Sequence, residues 1–189
     1  MTRTLLGGLL GGLAMYLVGF LFWGTPLAGL AFGTAGDQQS AAIQASLAQN
    51  LTASGTGTYS IPSTATGQGT VLFGKGPIAT IHFNTSGFPA VDTTALLGGL
   101  VLALVAGVIF AAALSIVAKW VPTFADRVRA GLLFALAVTL YLDLGQPIFN
   151  HYGPGYFIYT FLGDFLGFVA AALVIARWFL PMVRGAEAV

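Results

Sequence analysis

The chain has 189 residues, of which 57% are hydrophobic and only 7% carry a charge, whereas an ordinary soluble domain has about 25% charged residues. So few polar groups could not cover the surface of a soluble fold, and a net charge of +1 offers no basic patch for nucleic acid. Cysteine is absent, which removes disulfides, thiolate metal sites and cysteine nucleophiles. The composition therefore predicts an integral membrane protein without nucleic-acid or thiol chemistry.

Four apolar stretches stand out in chain order, each close to the roughly 20 residues that a membrane-spanning helix needs. They cover residues 5–32, 95–117, 130–149 and 157–180. Isolated strands cannot satisfy their backbone in lipid, so each stretch is predicted to be a helix. The first is too long for a cleaved signal peptide, and Pro26 predicts a kink or an early helix end near Trp23 to Thr25.

The segment between the first two helices is predicted to fold. Residues 37–50 favour a helix with Asp37 as its N-cap. Residues 70–74 and 78–84 are rich in β-branched and aromatic side chains, which predicts two strands joined by a turn at Lys75-Gly76-Pro77, and 57–63 predicts a short third strand. The expected arrangement is a helix packed on two or three strands.

Lysine and arginine distribution predicts the orientation, because these residues accumulate on the cytoplasmic side of membrane helices. Six such residues fall on one side and Lys75 alone on the other; the six are Arg3, Lys119, Arg127, Arg129, Arg177 and Arg184. Both termini and the 118–130 connection are therefore expected in the cytoplasm. The predicted fold is a mainly α-helical membrane protein, a four-transmembrane-helix bundle with a small α+β extracytoplasmic insertion between helices one and two. Its segments are helix one (1–33), the insertion (34–93), helices two to four (94–185) and a cytoplasmic tail (186–189).

Closely spaced glycines mark the first helix as a packing element. Gly7 and Gly11, like Gly8 and Gly12, form small-xxx-small pairs that let helix backbones approach closely in membranes. Two uses stay open at this point: packing within the four-helix bundle, or contact with another protein or copy.

Two carboxylates, Asp143 and Asp164, lie within the predicted spans. A charge at the bilayer centre costs about 2.5–3.5 kcal/mol on insertion scales, so such residues usually face a bundle interior, water or a partner. The third helix adds polar residues at i, i+3 and i+7, which share a face if Pro147 does not break the turn. The candidate polar cluster comprises Asp143, Gln146, Asn150, His151 and Asp164. It could relay protons, hold a divalent cation or bind a headgroup, or it could serve interhelical hydrogen bonding alone.

No catalytic motif of the GxSxG, HExxH or P-loop kind is present. The sequence therefore predicts no enzymatic activity and no specific metal site. It gives no indication of whether a cofactor is bound.

In several short features spread along its length, the chain resembles a loosely defined group of bacterial four-helix inner-membrane proteins of unknown function. The similar features are Trp23-Gly24, Pro26, Gly57, Tyr59, Pro62, Gly76-Pro77, Asp143, the turn Asn150-His151-Tyr152-Gly153, and Asp164. Members tend to have a tryptophan-rich version of that turn, where Tyr152 and Tyr156 stand here. The resemblance implies the four-helix topology and a multi-pass location in the bacterial cytoplasmic membrane. Together with the orientation that the Lys and Arg distribution predicts, this puts the 34–93 segment in the periplasm.

Because no catalytic motif is present, the sequence favours a non-catalytic accessory subunit. Such a subunit would lie in the lipid bilayer and pack against a larger respiratory, photosynthetic or transport complex. The alternative is a membrane protein that binds a small molecule, lipid or proton at the cluster around Asp143 and Asp164. A homo-oligomer, including a homo-oligomeric channel, is a third possibility. None of the three involves nucleic acid.

Overall fold

Helices form most of the chain, which is described by a computed structural model over residues 2–180. In chain order the elements are α1 (Thr2–Trp23), a 3-10 helix (Pro26–Leu30), α2 (Asp37–Leu51), a 3-10 turn (Thr52–Ser54), β1 (Gly57–Ile61), α3 (Gly67–Lys75), β2 (Ala79–Phe83), α4 (Thr93–Val117), α5 (Phe124–Asn150) and α6 (Pro154–Trp178). Residues up to Gly33 and from Thr93 onward form one compact unit, the helical unit, and Thr34–Asp92 form another, the insert. Arg184 and the predicted tail 186–189 lie outside the described residues.

The four predicted spans are confirmed as helices long and apolar enough to cross a membrane, namely α1, α4, α5 and α6. Their bounds differ from the prediction at the start of α5. This helix begins at Phe124, where Thr123 caps it by accepting the N–H of Asp126 at 3.1 Å. Arg127 and Arg129 therefore lie in the first turns of α5 and not in a connecting loop, since the polar cap sets the helix start before the apolar run begins.

The predicted early end of the first helix is confirmed, because α1 stops at Trp23 and a 3-10 helix begins at Pro26. An α-helix continuing past this point would bond the N–H of residue 26 to the Phe22 carbonyl, and proline has no N–H to give. The Tyr159 hydroxyl donates to that carbonyl instead, at 2.6 Å. The Thr25 hydroxyl donates to the Leu21 carbonyl, also at 2.6 Å, so side chains satisfy the helix end.

In the helical unit, α1 lies antiparallel to both α4 and α6, and α5 packs on α6. We call the end that holds Trp23, Thr93 and Asn150 the upper end, and the opposite one the lower end. The buried apolar core lies in the lower half, where α4 and α6 approach each other. Its members are Phe110, Ala111, Leu114, Ala118, Ala171, Ala172, Ile175 and Leu180.

The four glycines of the predicted packing face are buried inside the helical unit. A Cβ added to Gly8 would lie 2.5 Å from Cα of Val108 on α4, and one added to Gly12 would overlap the Ala103 carbonyl of the same helix. Gly7 and Gly11 instead meet residues at the end of α6 and beyond, through Phe179 and Ile175. The predicted face is thus two adjacent faces, one for each neighbouring helix.

The insert differs from its prediction in one strand. β1 pairs with β2 in an antiparallel register with Tyr59 opposite Ile81, which confirms the 57–63 and 78–84 strands. Residues 70–74, predicted as a strand, belong to α3. Capping explains the difference: Thr66 accepts the Gly69 N–H at 3.0 Å, and Gly76 ends the helix with φ of +66°. Lys75-Gly76-Pro77 consequently ends a helix and does not turn a hairpin.

The first helix of the insert is confirmed, but two of its predicted details are wrong. Gly36 is the N-cap and Asp37 the first helical residue, where its charge still favours the positive end of the helix dipole. α2 buries no residue and so does not pack on the sheet. Within residues 34–92, Gly69 alone is buried.

Candidate functional site

The upper half of the helical unit contains a groove of about 370 Å³. Its floor is the second half of α1, and its two walls are the upper parts of α4 and α6. The lining is almost entirely apolar, with Met15, Phe20 and Trp23 on α1 and Phe168 on α6 among its larger side chains. A cavity of this size is large enough for a small molecule, since ligand sites typically enclose about 300–1,000 Å³.

Small residues create the groove. Gly19 on α1 has no atom within 4 Å of the position that a Cβ would take, and a Cβ at Gly99 on α4 would lie 3.7 Å from the Tyr16 ring. The two helices stay linked across the floor because the Tyr16 hydroxyl donates to the Leu96 carbonyl at 3.1 Å. The groove is therefore space left by glycines between helices that side chains hold together.

Asp164 is the one charged residue among the described residues that line the groove. It follows Gly163, whose missing side chain lets α6 pack on the Phe22 ring of α1. At 1.5 Å per residue, Asp164 lies about 15 Å along α6 from the start at Pro154. This places its carboxyl near the middle of a helix long and apolar enough to span a membrane.

Asp143 lies on α5, the helix that packs against α6. The structure brings it close enough to Asp164 for the two carboxylate charges to repel each other. One carboxylate oxygen of Asp143, Oδ2, is buried and has no hydrogen-bond partner. Within residues 2–180, neither carboxylate forms an ion pair or a hydrogen bond, so no described residue compensates their charges.

The remaining residues of the predicted cluster are not part of this pair. α5 continues unbroken through Pro147, yet Gln146 and Asn150 are exposed, and Asn150 Nδ2 donates to Gln146 Oε1 at 3.1 Å. His151 is also exposed and ends α5 with a φ of 56°. The structure therefore brings together Asp143 and Asp164 but does not gather all five polar residues.

An aromatic cluster stands beside the groove at the upper end. The Trp23 ring lies 5.2 Å from that of Tyr159, 5.9 Å from that of Tyr156 and 6.3 Å from that of Phe32, measured between ring centroids. Trp23 itself lines the groove. The negative faces of such rings attract cations, which adds to the negative character that Asp164 gives the site.

Sequence reasoning missed the groove residues on α1 and α4. Tyr16, Gly19 and Gly99 carried no motif, although the Gly163 and Gly167 pair on α6 has the same spacing as the glycines that were noticed. It also missed Arg127, which is only 1% exposed and donates from Nε to the Val121 carbonyl at 2.9 Å. A single arginine near a helix start is indistinguishable in sequence from a solvated flanking charge.

Among the described residues, no three His, Cys, Asp or Glu side chains lie together in a group suited to a metal ion. No protein-family model, curated protein or solved structure matches this chain. The groove and its carboxylates are therefore the observations from which a function can be argued.

Proposed function

We propose that this chain is a non-catalytic multi-pass membrane protein that binds a small molecule in the groove between α1, α4 and α6, with Asp164 as the polar anchor. The observation that supports this proposal is a 370 Å³ apolar cavity with one charged lining residue. Ligand sites commonly combine an apolar lining with a few polar groups that fix orientation.

The main alternative for the carboxylates is interhelical hydrogen bonding, a normal packing device in membranes. That role requires a donor on a neighbouring helix. Asp164 has no hydrogen-bond donor among the described residues, and the buried Oδ2 of Asp143 has none either. Because a buried polar group without a partner destabilises a protein by about 1–3 kcal/mol, the unpartnered Oδ2 of Asp143 argues against a purely structural role. Asp164 is exposed and lines the groove, where a ligand can reach it.

A matched pair of glycines tests the proposal. Gly99 lines the groove, whereas its neighbour Gly98 does not and has open space around its Cβ position. With Trp120→Phe and Trp178→Phe, Trp23 becomes the sole tryptophan and reports binding by fluorescence. The probes are tetraphenylphosphonium, triphenylphosphine oxide and tetraphenylborate, three bodies of similar shape with charges +1, 0 and −1, added to protein in nanodiscs.

We expect at least one probe to quench Trp23 saturably, Gly99→Leu to abolish that signal, and Gly98→Leu to leave it unchanged. Saturable quenching that is equal in both leucine variants would contradict binding in the groove. Absence of saturable quenching by all three probes would count equally against the proposal.

The orientation is part of the same proposal. We place both termini in the cytoplasm and residues 34–93 in the periplasm of a bacterial cytoplasmic membrane, supported by the six-to-one excess of Lys and Arg on one side. The groove then opens in the outer half of the bilayer. Because the chain has no cysteine, an impermeant maleimide in intact cells should label Ser54→Cys and Asn150→Cys but not Thr123→Cys. Labelling at position 123 would contradict the proposed orientation and support the opposite one.

A second candidate, an accessory subunit of a larger membrane complex or a homo-oligomer, is favoured by one observation on the insert. Apolar side chains there are exposed, including Val71 at 58%, Phe88 at 71% and Val91 at 76%, and patches of this kind often mark interaction surfaces. Purification in mild detergent followed by mass spectrometry separates the two candidates. Recovery with a larger membrane protein at fixed stoichiometry would favour the accessory role, and recovery of this chain alone would favour ligand binding.

A further inference from the structure

We propose that the ligand of the groove is a lipophilic monovalent cation, an amine or quaternary onium ion with an apolar body, whose charge lies against Asp164. This inference rests on the proposed ligand-binding function and adds the chemical class of the ligand.

The charges around the groove have one sign. α4 contains no charged residue, and the one charged residue of α1 is Arg3 at its lower end. α6 contributes Asp164 to the groove, and α5 contributes Asp143 behind it. An anion would meet two carboxylates, and a neutral ligand would leave Asp164 unpaired in an apolar environment, where an isolated charge is costly. A cation alone compensates the carboxylate.

The lining also decides what kind of cation fits. The groove is lined by four aromatic residues, Tyr16, Phe20, Trp23 and Phe168, and the face of an aromatic ring attracts a cation electrostatically. Calcium or magnesium would need six or more oxygen ligands, and zinc would need about four ligands from Cys, His, Asp or Glu side chains and water. The groove presents the carboxylate of Asp164 and the hydroxyl of Tyr16, which already donates to the Leu96 carbonyl. An organic cation with a large apolar body satisfies both the charge and the apolar walls.

Protons compete with such a ligand, because protonation of Asp164 removes the charge that binds it. Few titratable groups lie near Asp164: Asp143 acts on it from α5 and Tyr16 lines the groove from α1, while α4 supplies none. The Tyr16 hydroxyl already donates to the Leu96 carbonyl at 3.1 Å. At a pH where the carboxylate pair is partly protonated, cation binding should therefore release protons, and the affinity should rise with pH.

The test uses the same three tetraphenyl and triphenyl probes and the full-length protein in nanodiscs. Tetraphenylphosphonium should bind with a groove-dependent signal, defined as the part lost in Gly99→Leu, and triphenylphosphine oxide and tetraphenylborate should not. Asp164→Asn should weaken the phosphonium affinity by roughly tenfold or more, where tenfold corresponds to about 1.4 kcal/mol, and Asp164→Glu should restore most of it. Asp143→Asn, the matched removal of a carboxylate outside the groove lining, should change the affinity by a smaller factor.

Two measurements on the unsubstituted protein keep the test decisive if a variant fails to fold. Phosphonium binding in weakly buffered solution should release protons, and its dissociation constant should fall as the pH rises. Equal affinity for the phosphine oxide, with the same loss in Gly99→Leu, would overturn the cation inference and leave the proposed function standing. Groove-dependent binding of none of the probes would overturn both. Phosphonium affinity that is unchanged in a folded Asp164→Asn variant would overturn the inference alone.

Discussion

The two halves of α1 use glycine in opposite ways. In the lower half, Gly8 and Gly12 let the α4 backbone approach so closely that any added Cβ would overlap it. In the upper half, Gly19 has nothing within 4 Å of its Cβ position, and the space becomes part of the groove. The same residue type thus supports close packing in one half and leaves a cavity in the other.

In this chain, therefore, the separation of α1 and α4, and not their glycine content, decides whether the two helices pack closely or leave a cavity between them. Tight contacts at Gly8 and Gly12 hold α1 and α4 together below the groove, and the bond from Tyr16 to the Leu96 carbonyl holds them beside it. The lower half can therefore carry the stability of the unit while the upper half remains open for a ligand.

The largest effect on stability is expected from Gly12→Val, which tests whether the two halves of α1 differ in packing. Gly12→Val should lower the free energy of unfolding by about 3 kcal/mol, because the side chain must displace the α4 backbone and overpacking typically costs 1–3 kcal/mol or more. Thermal unfolding in detergent measures the change. Gly19→Val is the control on the same helix, and it should leave stability within about 0.5 kcal/mol while narrowing the groove. Equal destabilisation by the two valines would show that the halves do not differ in packing.

A smaller effect is expected at the upper end, from the bond that completes α1. Tyr159→Phe should cost about 1 kcal/mol, because it leaves the Phe22 carbonyl without a donor. Tyr156→Phe is the control, since that ring contacts Trp23 but no described residue bonds its hydroxyl. In a Pro26→Ala background the backbone regains an N–H, so the cost of Tyr159→Phe should fall. A cost that is the same in both backgrounds would rule out this account of the helix end.

The sequence predicted the parts of the fold that depend on local properties. Apolar length was enough to find the four long helices, and Pro26 was enough to end α1, because both effects act within one segment. The strand predicted at residues 70–74 was wrong because the helix caps at Thr66 and Gly76 outweigh the strand propensity of Val71 and Phe73. Helix caps are weak signals in the sequence of a short segment.

The candidate site was harder to predict because it depends on which helices become neighbours. Spacing placed Asp143 and Gln146 on one face of a helix, but it could not say that only Asp143 would lie against α6. The groove has no sequence signature, since it is the space that Gly19 on α1 and Gly99 on α4 leave between two helices. Arg127 was treated as a flanking charge because its burial depends on tertiary packing that spacing does not report.

The bond between Tyr159 and the Phe22 carbonyl joins residues 137 positions apart in the chain. A ribosome therefore finishes α1 long before it delivers the hydroxyl that completes the end of this helix. Until α6 is made, α1 can form its glycine contacts with α4 but not the contact of Gly11 with Ile175 on α6. The last of the described helices thus completes the first.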